Sequence, residues 1–158
     1  TPGLMHRLGG LEKDTKSGAI SNDPVNHERM VHLRQAKVDA VANDIPEVDP
    51  YGDKDADTLV VGWGGTFGHI HEAVDELRAE GKKVAMAHFR YINPLPKNTA
   101  DVLEKYKNVI VAELNMGQFA DFLQAKFPHV NIKRINKVQG QPFLVKEIKD
   151  EVTKVMEG

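Results

Sequence analysis

Residues 58–68 decide the fold. They read Thr58-Leu-Val-Val-Gly62-Trp-Gly64-Gly65-Thr-Phe-Gly68, an apolar run that ends in a glycine-rich turn. An almost wholly apolar run of this length is typical of a strand that is covered on both faces of a sheet. The residues after the turn place four apolar side chains at helical spacing, namely Ile70, Ala73, Val74 and Leu77. The stretch therefore predicts a strand, a tight turn and an amphipathic helix in succession.

The same alternation continues to the end of the chain. After the first strand, 58–63, and its helix, 68–80, the pattern predicts strands over 83–89, 108–113 and 131–135 and helices over 98–106, 117–126 and 143–156. Strands that alternate with helices of this size imply right-handed crossovers and a parallel sheet. The sequence therefore predicts an α/β domain.

The first part of the chain lacks this alternation. Residues 1–22 carry four glycines and no hydrophobic period, which predicts an extended or poorly ordered arm. Asp23 and Pro24 predict a helix start, and the helix is expected to continue to about Ala42. Residues 43–57 are rich in Pro, Gly and Asp and predict a linker.

We therefore divide the chain after residue 54. Residues 1–54 are interpreted as an arm, a helix and a linker that come from a preceding domain, and residues 55–158 as the α/β domain. The chain starts with Thr1-Pro-Gly-Leu-Met-His6, which resembles the middle of a protein rather than its beginning. We accordingly expect this chain to be part of a longer protein.

Composition narrows the classes of function. The net charge is −2, and no apolar run approaches the roughly 20 residues of a membrane span, so we expect neither nucleic acid nor membrane as a partner. The chain has no cysteine. It therefore offers no disulfide, no thiolate nucleophile and no cysteine ligand for an iron–sulfur cluster. This composition is compatible with a cytoplasmic location.

The glycine-rich turn has two interpretations. Gly62, Gly64, Gly65 and Thr66 resemble a loose phosphate-binding fingerprint at a helix start, where backbone N–H groups can hold an anion. A dinucleotide site also needs an acidic residue at the end of the next strand, and residues 83–90 contain none. The alternative is a tight turn that needs small residues for close packing.

Histidine spacing gives no metal motif. His69 and His71 point to different faces of the predicted helix, and His27 and His32 are also poorly spaced for a shared metal ion. No serine with a partner base and no Gly-x-Ser-x-Gly motif is present, so we predict no catalytic residue. His88 alone lies at the carboxyl end of a predicted strand, where α/β proteins usually place their sites.

Polar residues also collect at that edge of the predicted sheet. Glu113, Asn115 and Gln118 follow the third strand, and Asn136 and Gln141 follow the fourth. Their position favours contact with a ligand or with another subunit. The alternative is local capping of the next helix by Asn115, with hydrogen bonds to its neighbours.

Six segments together resemble one family. The chain is similar along essentially its whole length to the C-terminal part of the alpha subunit of 2-oxoacid:ferredoxin oxidoreductases, most of all to the 2-oxoglutarate branch. No single segment is specific, but all six occur in the family's order. They are Gly10-Leu-Glu-Lys-Asp14, Asp23-Pro-Val-Asn-His27, Gly62-Trp-Gly-Gly-Thr66, Arg90-Tyr-Ile-Asn-Pro-Leu-Pro96, Glu113-Leu-Asn-Met-Gly-Gln118 and Asn136-Lys-Val-Gln-Gly-Gln-Pro-Phe143.

The resemblance implies a particular α/β fold for the compact part. It is expected to be similar to the C-terminal domain of transketolase, a three-layer α/β/α sandwich. The sheet of that domain has five mostly parallel strands, one of them antiparallel. The sequence pattern predicts only four strands, so a fifth strand is expected in the linker or beside the segment that starts at Asn136.

The resemblance also implies an activity for the whole enzyme. Such enzymes oxidatively decarboxylate a 2-oxoacid onto coenzyme A and pass electrons to ferredoxin. They use thiamine diphosphate with magnesium and 4Fe-4S clusters, and their alpha subunit assembles with a beta subunit. This chain has no cysteine and no Gly-Asp-Gly…Asn motif for the magnesium of thiamine diphosphate. We therefore expect no cofactor on this chain and an assembly role within a larger oxidoreductase.

Two alternatives stay open at this point. The chain can be a stand-alone nucleotide-binding module that uses the turn over residues 62–68. It can also be the same domain of a pyruvate or branched-chain oxoacid enzyme, since residues outside this chain choose the oxoacid.

Overall fold

The computed structural model describes residues 2–3 and 9–158. Most of the loop expected at the first six residues lies outside the described residues. The chain divides into two compact units, Thr1–Asp44 and Ile45–Gly158. The sequence pattern placed this division after residue 54, because residues 45–54 show no hydrophobic period. The structure counts those residues with the second unit, where they contribute a strand.

A tight turn precedes the helix of the first unit. Lys13 and Ile20 form an isolated antiparallel bridge. Between them, the Asp14 carboxylate accepts hydrogen bonds from the backbone and the hydroxyl of Ser17, at 2.8 and 2.9 Å. The side chain of Asn26 donates to the Lys13 carbonyl at 2.9 Å. An extended or poorly ordered arm was predicted over residues 1–22, and the difference at this turn arises because side-chain hydrogen bonds hold the backbone without any apolar pattern.

One long helix follows this turn. Helix α1 spans Pro24–Ala40, and a short 3₁₀ turn, Val41–Asn43, continues it. The carboxylate of Asp23 accepts a hydrogen bond from the backbone N–H of Asn26 at 2.7 Å, as the predicted N-cap requires. None of the residues of α1 is buried among the described residues.

The second unit contains the sheet. Its strands are β1 (Tyr51–Gly52), β2 (Thr58–Trp63), β3 (Val84–Phe89), β4 (Asn108–Glu113) and β5 (Ile132–Asn136). Its helices are α2 (Phe67–Ala79), α3 (Thr99–Glu104), α4 (Gln118–Lys126) and α5 (Val145–Glu157), and a 3₁₀ turn, Gly64–Thr66, leads into α2. Every predicted strand and helix of this unit is present, with ends that shift by two residues or fewer.

The strand order is β1-β3-β2-β4-β5. Strands β2 to β5 are parallel, and β1 pairs with β3 in the antiparallel direction. This arrangement confirms the five-stranded, mostly parallel sheet and places the fifth strand in the predicted linker. A two-residue strand is too short to carry an alternating pattern, so sequence periodicity missed it.

Helices cover both faces of the sheet. Side chains of Val60 and Ile110 pack with α2 and α5 on one face. Side chains of Leu59 and Val111 pack with α3 and α4 on the other. All four side chains are fully buried, which explains why these strands read as continuous apolar runs.

The chain changes direction between β2 and β4. The connection through α2 leads from β2 to its neighbour on one side, and the connection through α3 crosses to β4 on the other side. A crevice between the carboxyl ends of two such strands is the usual ligand position in an open parallel sheet. Trp63 and Glu113, the last residues of β2 and β4, lie at this crevice.

Gly52 is the residue that allows β1 to pair. Its φ is +118°, and a Cβ atom added there would lie 2.6 Å from the Val84 carbonyl oxygen. We expect Gly52→Ala to destabilise the second unit by about 1–3 kcal/mol. The alanine would have an unfavourable positive φ, and its methyl group would lie too close to the Val84 carbonyl oxygen. Chemical denaturation measures this change. Gly68→Ala is the matched control, since open space surrounds Gly68 in α2; equal effects of the two substitutions would contradict the explanation.

Candidate functional site

A buried carboxylate occupies the crevice between β2 and β4. Glu113 has no exposed surface. Its oxygens accept hydrogen bonds from the backbone N–H groups of Phe119 at 3.0 Å and Ala120 at 2.9 Å. They also accept from Trp63 Nε1 at 3.2 Å and from Asn115 Nδ2 at 3.0 Å. Four donors thus bond to the two oxygens of this side chain, so that both oxygens accept hydrogen bonds.

The position of this carboxylate has an electrostatic reason. Phe119 and Ala120 lie in the first turn of α4, whose N–H groups have no partner within the helix. The partial positive charge of a helix N-terminus stabilises an anion placed there. Glu113 therefore supplies from within the chain the negative charge that a bound phosphate supplies in many α/β proteins.

The loop between β4 and α4 is fixed by Asn115. Its side-chain oxygen accepts hydrogen bonds from the N–H groups of Gly117 at 2.7 Å and Gln118 at 3.2 Å. Gly117 has a φ of +97°, and a Cβ there would lie 3.0 Å from Asn136 Nδ2. Asn136 is the partner of Glu113 in the pairing of β4 with β5. Three neighbouring backbone segments thus meet at this point.

The structure brings four of the five predicted edge residues together. Glu113, Asn115, Gln118 and Asn136 share the end of β4 and β5, as the strand order requires. Gln141 lies exposed in the loop before α5 and makes no hydrogen bond to the other four among the described residues. Asn115 and Glu113 make the local capping bonds of the alternative interpretation, and contact with a ligand or subunit stays a prediction.

Sequence reasoning missed one member of this cluster. Trp63 is the only tryptophan of the chain, and it is separated from Glu113 by a long stretch of sequence. Its ring also packs edge-to-face on Phe119, with 6.2 Å between centroids. The available signal was its place at the end of the strand that precedes the glycine turn, since that edge also receives Glu113.

Packing explains part of the glycine-rich turn. A Cβ on Gly62 would lie 2.3 Å from Ile70 Cδ1 and 2.6 Å from Thr66 Oγ1. Gly64 has a φ of +58°, which favours glycine. The Thr66 hydroxyl donates to the Trp63 carbonyl at 2.9 Å and closes the turn. Gly62, Gly64 and Thr66 thus have structural reasons to be present, whereas anion binding by the turn stays a prediction.

His88 lines a cavity on the β3 side of the edge. The cavity has a volume of about 260 Å³, and its walls include Tyr51, Phe67, His88, Arg90 and Tyr91. The Nδ1 atom of His88 is buried and has no hydrogen-bond partner among the described residues. Burial, and to a smaller extent the Arg90 guanidinium, lower the pKa of His88.

Exposed apolar side chains mark the whole carboxyl edge. Each parallel strand is followed by at least one of them, namely Phe67 after β2, Tyr91 after β3, Leu114 and Met116 after β4, and Val138 and Leu144 after β5. Met116 exposes 71% of its surface. The loops over residues 64–66, 90–98, 114–117 and 137–144 contain no aspartate or glutamate. Apolar and aromatic groups with few charges are typical of the centre of a protein–protein interface. We call this surface the carboxyl-edge face.

The residues present do not fit the metal groups that the resemblance implies for the whole enzyme. The chain has no cysteine to bind an iron–sulfur cluster. Across residues 2–3 and 9–158, no group of three or more His, Asp or Glu side chains is arranged to hold a metal ion. In the same part of the chain, no helix has both the length and the apolar character needed to cross a membrane.

The packing at Gly62 leads to a stability prediction. We expect Gly62→Ala to lower the free energy of unfolding by about 1–3 kcal/mol, because the added methyl group overpacks the contact with Ile70 and Thr66. Gly65→Ala is the control, since Gly65 has open space and a negative φ. Urea denaturation followed by Trp63 fluorescence compares the two. A Gly62→Ala variant as stable as Gly65→Ala would show that packing does not require this glycine.

The environment of His88 leads to a pH prediction. Because its pKa is lowered in the native state, the unfolded chain takes up the proton first as the pH falls. The contribution of His88 to the free energy of unfolding is therefore highest above about pH 6.5, the pKa of histidine in the unfolded chain. It decreases as the pH falls below that value. We expect the wild type to lose more stability than His88→Gln between pH 7.5 and pH 5.5. Parallel pH profiles for the two proteins would contradict this.

Comparison with known proteins places the chain in a family. Residues 56–148 match the family described as pyruvate:ferredoxin oxidoreductase core domain II. The 2-oxoglutarate oxidoreductase subunit KorA of Mycobacterium tuberculosis is 48% identical over 149 residues, which are 94% of this chain and 22% of that subunit. Subunit alpha of 2-oxoacid:ferredoxin oxidoreductase 1 of Aeropyrum pernix is 33% identical over 152 residues, 92% of this chain and 24% of the relative. The chain thus spans about a quarter of the length of these curated relatives.

Solved structures agree with this placement. A 2-oxoglutarate:ferredoxin oxidoreductase from Magnetococcus marinus, with 2-oxoglutarate, coenzyme A and succinyl-CoA bound, matches with a TM-score of 0.85 and 31% identity. That match covers 98% of this chain and 27% of the other. A split-gene transketolase matches with a TM-score of 0.55 at 14% identity, over 69% of this chain and 41% of the other, and shows the shared fold alone. This chain belongs to the pyruvate:ferredoxin oxidoreductase core domain II family.

Proposed function

We propose that this chain is a non-catalytic assembly domain of the alpha subunit of a 2-oxoglutarate:ferredoxin oxidoreductase. The family match and the 48% identity to a 2-oxoglutarate oxidoreductase subunit support this assignment. The proposed enzyme converts 2-oxoglutarate and coenzyme A to succinyl-CoA and CO₂ and reduces ferredoxin. Thiamine diphosphate, magnesium and 4Fe-4S clusters bind to other parts of it. A cytoplasmic location is compatible with a chain that has no cysteine.

One observation carries the assembly role. The carboxyl-edge face displays apolar side chains after all four parallel strands, and its loops contain no carboxylate. Covering such a face removes apolar surface from water and buries no carboxylate of these loops. The proposed partners are the beta subunit and the remainder of the alpha subunit. Gln118 and Gln141 then serve as polar contacts within the interface.

The sequence comparison favours 2-oxoglutarate over other oxoacids. The ketoisovalerate oxidoreductase subunit VorA of Pyrococcus furiosus is 35% identical over 118 residues, which are 66% of this chain. The 2-oxoglutarate relative is both more similar and matched over more of the chain. The oxoacid itself contacts residues outside this chain in the proposed enzyme, so the choice rests on similarity alone.

The stand-alone nucleotide module has less support. The crevice at the turning point of the sheet holds the Glu113 carboxylate, which would repel a phosphate. The glycine turn has no acidic partner for a ribose, and Arg90 is the one charged side chain at the end of β3. Titration calorimetry with NADP and with coenzyme A tests this alternative. Saturable heat at millimolar ligand would restore it.

Co-purification tests the assembly role directly. The chain is produced with the candidate beta subunit, with and without the remainder of the alpha subunit. We expect Met116→Glu to reduce the recovered complex by about tenfold or more, because it places a charge at the centre of an apolar interface. Ala79→Glu is the control, since Ala79 is exposed at the C-terminal end of α2, away from the carboxyl-edge face. Equal recovery of complex with both variants would contradict docking through this face.

A second pair of substitutions tests the predicted polar contacts. The side chains of Gln118 and Gln141 are exposed and make no hydrogen bond to other described residues. Their replacement by alanine therefore leaves folding unchanged, so a loss of complex reports on the interface. Retention of full assembly and turnover by the double variant would remove both residues from the proposed interface.

A further inference from the structure

The crevice between β2 and β4 combines three features of an anion-binding site. It lies where the chain changes direction, at the carboxyl ends of parallel strands. It faces the first turn of α4, a helix of nine residues. It also contains two side-chain donors, Trp63 Nε1 and Asn115 Nδ2, which point to the same oxygen atom as the Phe119 N–H group.

The occupant of this crevice is part of the chain. Both oxygens of Glu113 are bonded, one to Ala120 N and the other to three donors, and the side chain is completely buried. A buried charge with full hydrogen bonding is stable, whereas the same donors without an acceptor would be costly. We propose that this crevice is a carboxylate-binding site that the chain fills with its own Glu113, which closes it to external anions.

Removing the Glu113 side chain would open the site to a small probe molecule. Glu113→Ala removes Cγ, Cδ and both oxygens, which are the heavy atoms of acetate. The four donors would then face an empty space that matches acetate in size, shape and charge. Acetate is therefore expected to bind this variant and not the wild type, in which the space is filled. Acetamide has the same shape without the charge and separates charge recognition from cavity filling.

Two other variants make the test specific. Glu113→Gln keeps the space filled but turns an amide N–H₂ group toward N–H donors, so it should lose stability and gain nothing from acetate. Glu147 also caps a helix, since its carboxylate accepts from Leu144 N at 2.8 Å, but its side chain is 40% exposed. Glu147→Ala consequently leaves an open surface that water fills, and acetate should not stabilise it.

The experiment measures thermal unfolding and Trp63 fluorescence of the full chain at constant ionic strength, with sodium chloride replaced stepwise by sodium acetate. We expect Glu113→Ala to unfold at least about 5 °C below the wild type. Acetate should recover more than half of that loss in a saturable manner, with a matching change in Trp63 emission. Chloride and acetamide should recover little, and the wild type, Glu113→Gln and Glu147→Ala should not respond.

Several outcomes would overturn the proposal. One is equal recovery with acetamide, which would mean that the space is filled without regard to charge. Another is a Glu113→Gln variant as stable as the wild type, which would mean that no anion is needed. If Glu113→Ala does not fold in chloride, refolding is repeated in acetate. Recovery of folded protein in acetate alone supports the proposal, and failure in both salts contradicts it.

Discussion

The structure at the carboxyl edge of the sheet depends on the hydrogen bonds to one buried carboxylate. Glu113 ends a central strand, and removing a carboxylate from water is unfavourable unless all its oxygens are hydrogen bonded. The fold meets this requirement with the start of α4, the indole of Trp63 and the side chain of Asn115. These contacts fix where α4 begins and hold the loop that displays Met116. The part of the carboxyl-edge face that follows β4 thus depends on one internal electrostatic constraint.

The same constraint distinguishes this crevice from the ligand crevice of a nucleotide-binding fold of similar topology. In an open parallel sheet, the crevice at the turning point usually receives the ligand, and a helix N-terminus provides its anion site. Here the chain has the topology and the helix, but the crevice is internally filled. What remains beside the filled crevice is a face of apolar side chains and amides, together with the cavity that His88 lines. The fold is therefore shared with binding domains, and in this crevice the Glu113 carboxylate stands where they hold a bound anion.

Sequence patterns predicted the fold because most of its strands and helices show a characteristic pattern of apolar residues within their own sequence. The apolar runs that end at Trp63 and Glu113 are strands buried on both faces, and α2 shows its apolar stripe without help from distant residues. Strand β1 could not be found in this way, since its pairing depends on the backbone freedom of Gly52 and on hydrogen bonds to β3. These contacts are made in the folded sheet and leave no pattern in the two residues of β1.

The candidate site was predicted in position but not in its chemistry. Strand order alone places Glu113, Asn115 and Asn136 at one edge, and the structure brings them together. The bond from Trp63 to Glu113 joins residues far apart in sequence, and no local pattern encodes it. Such contacts depend on which strands become neighbours, and that order is a property of the whole chain. Residues that come at or just after the end of a strand, such as Glu113 and Asn115, can thus be placed from the sequence. A residue such as Trp63, which contacts the end of a neighbouring strand, required the structure.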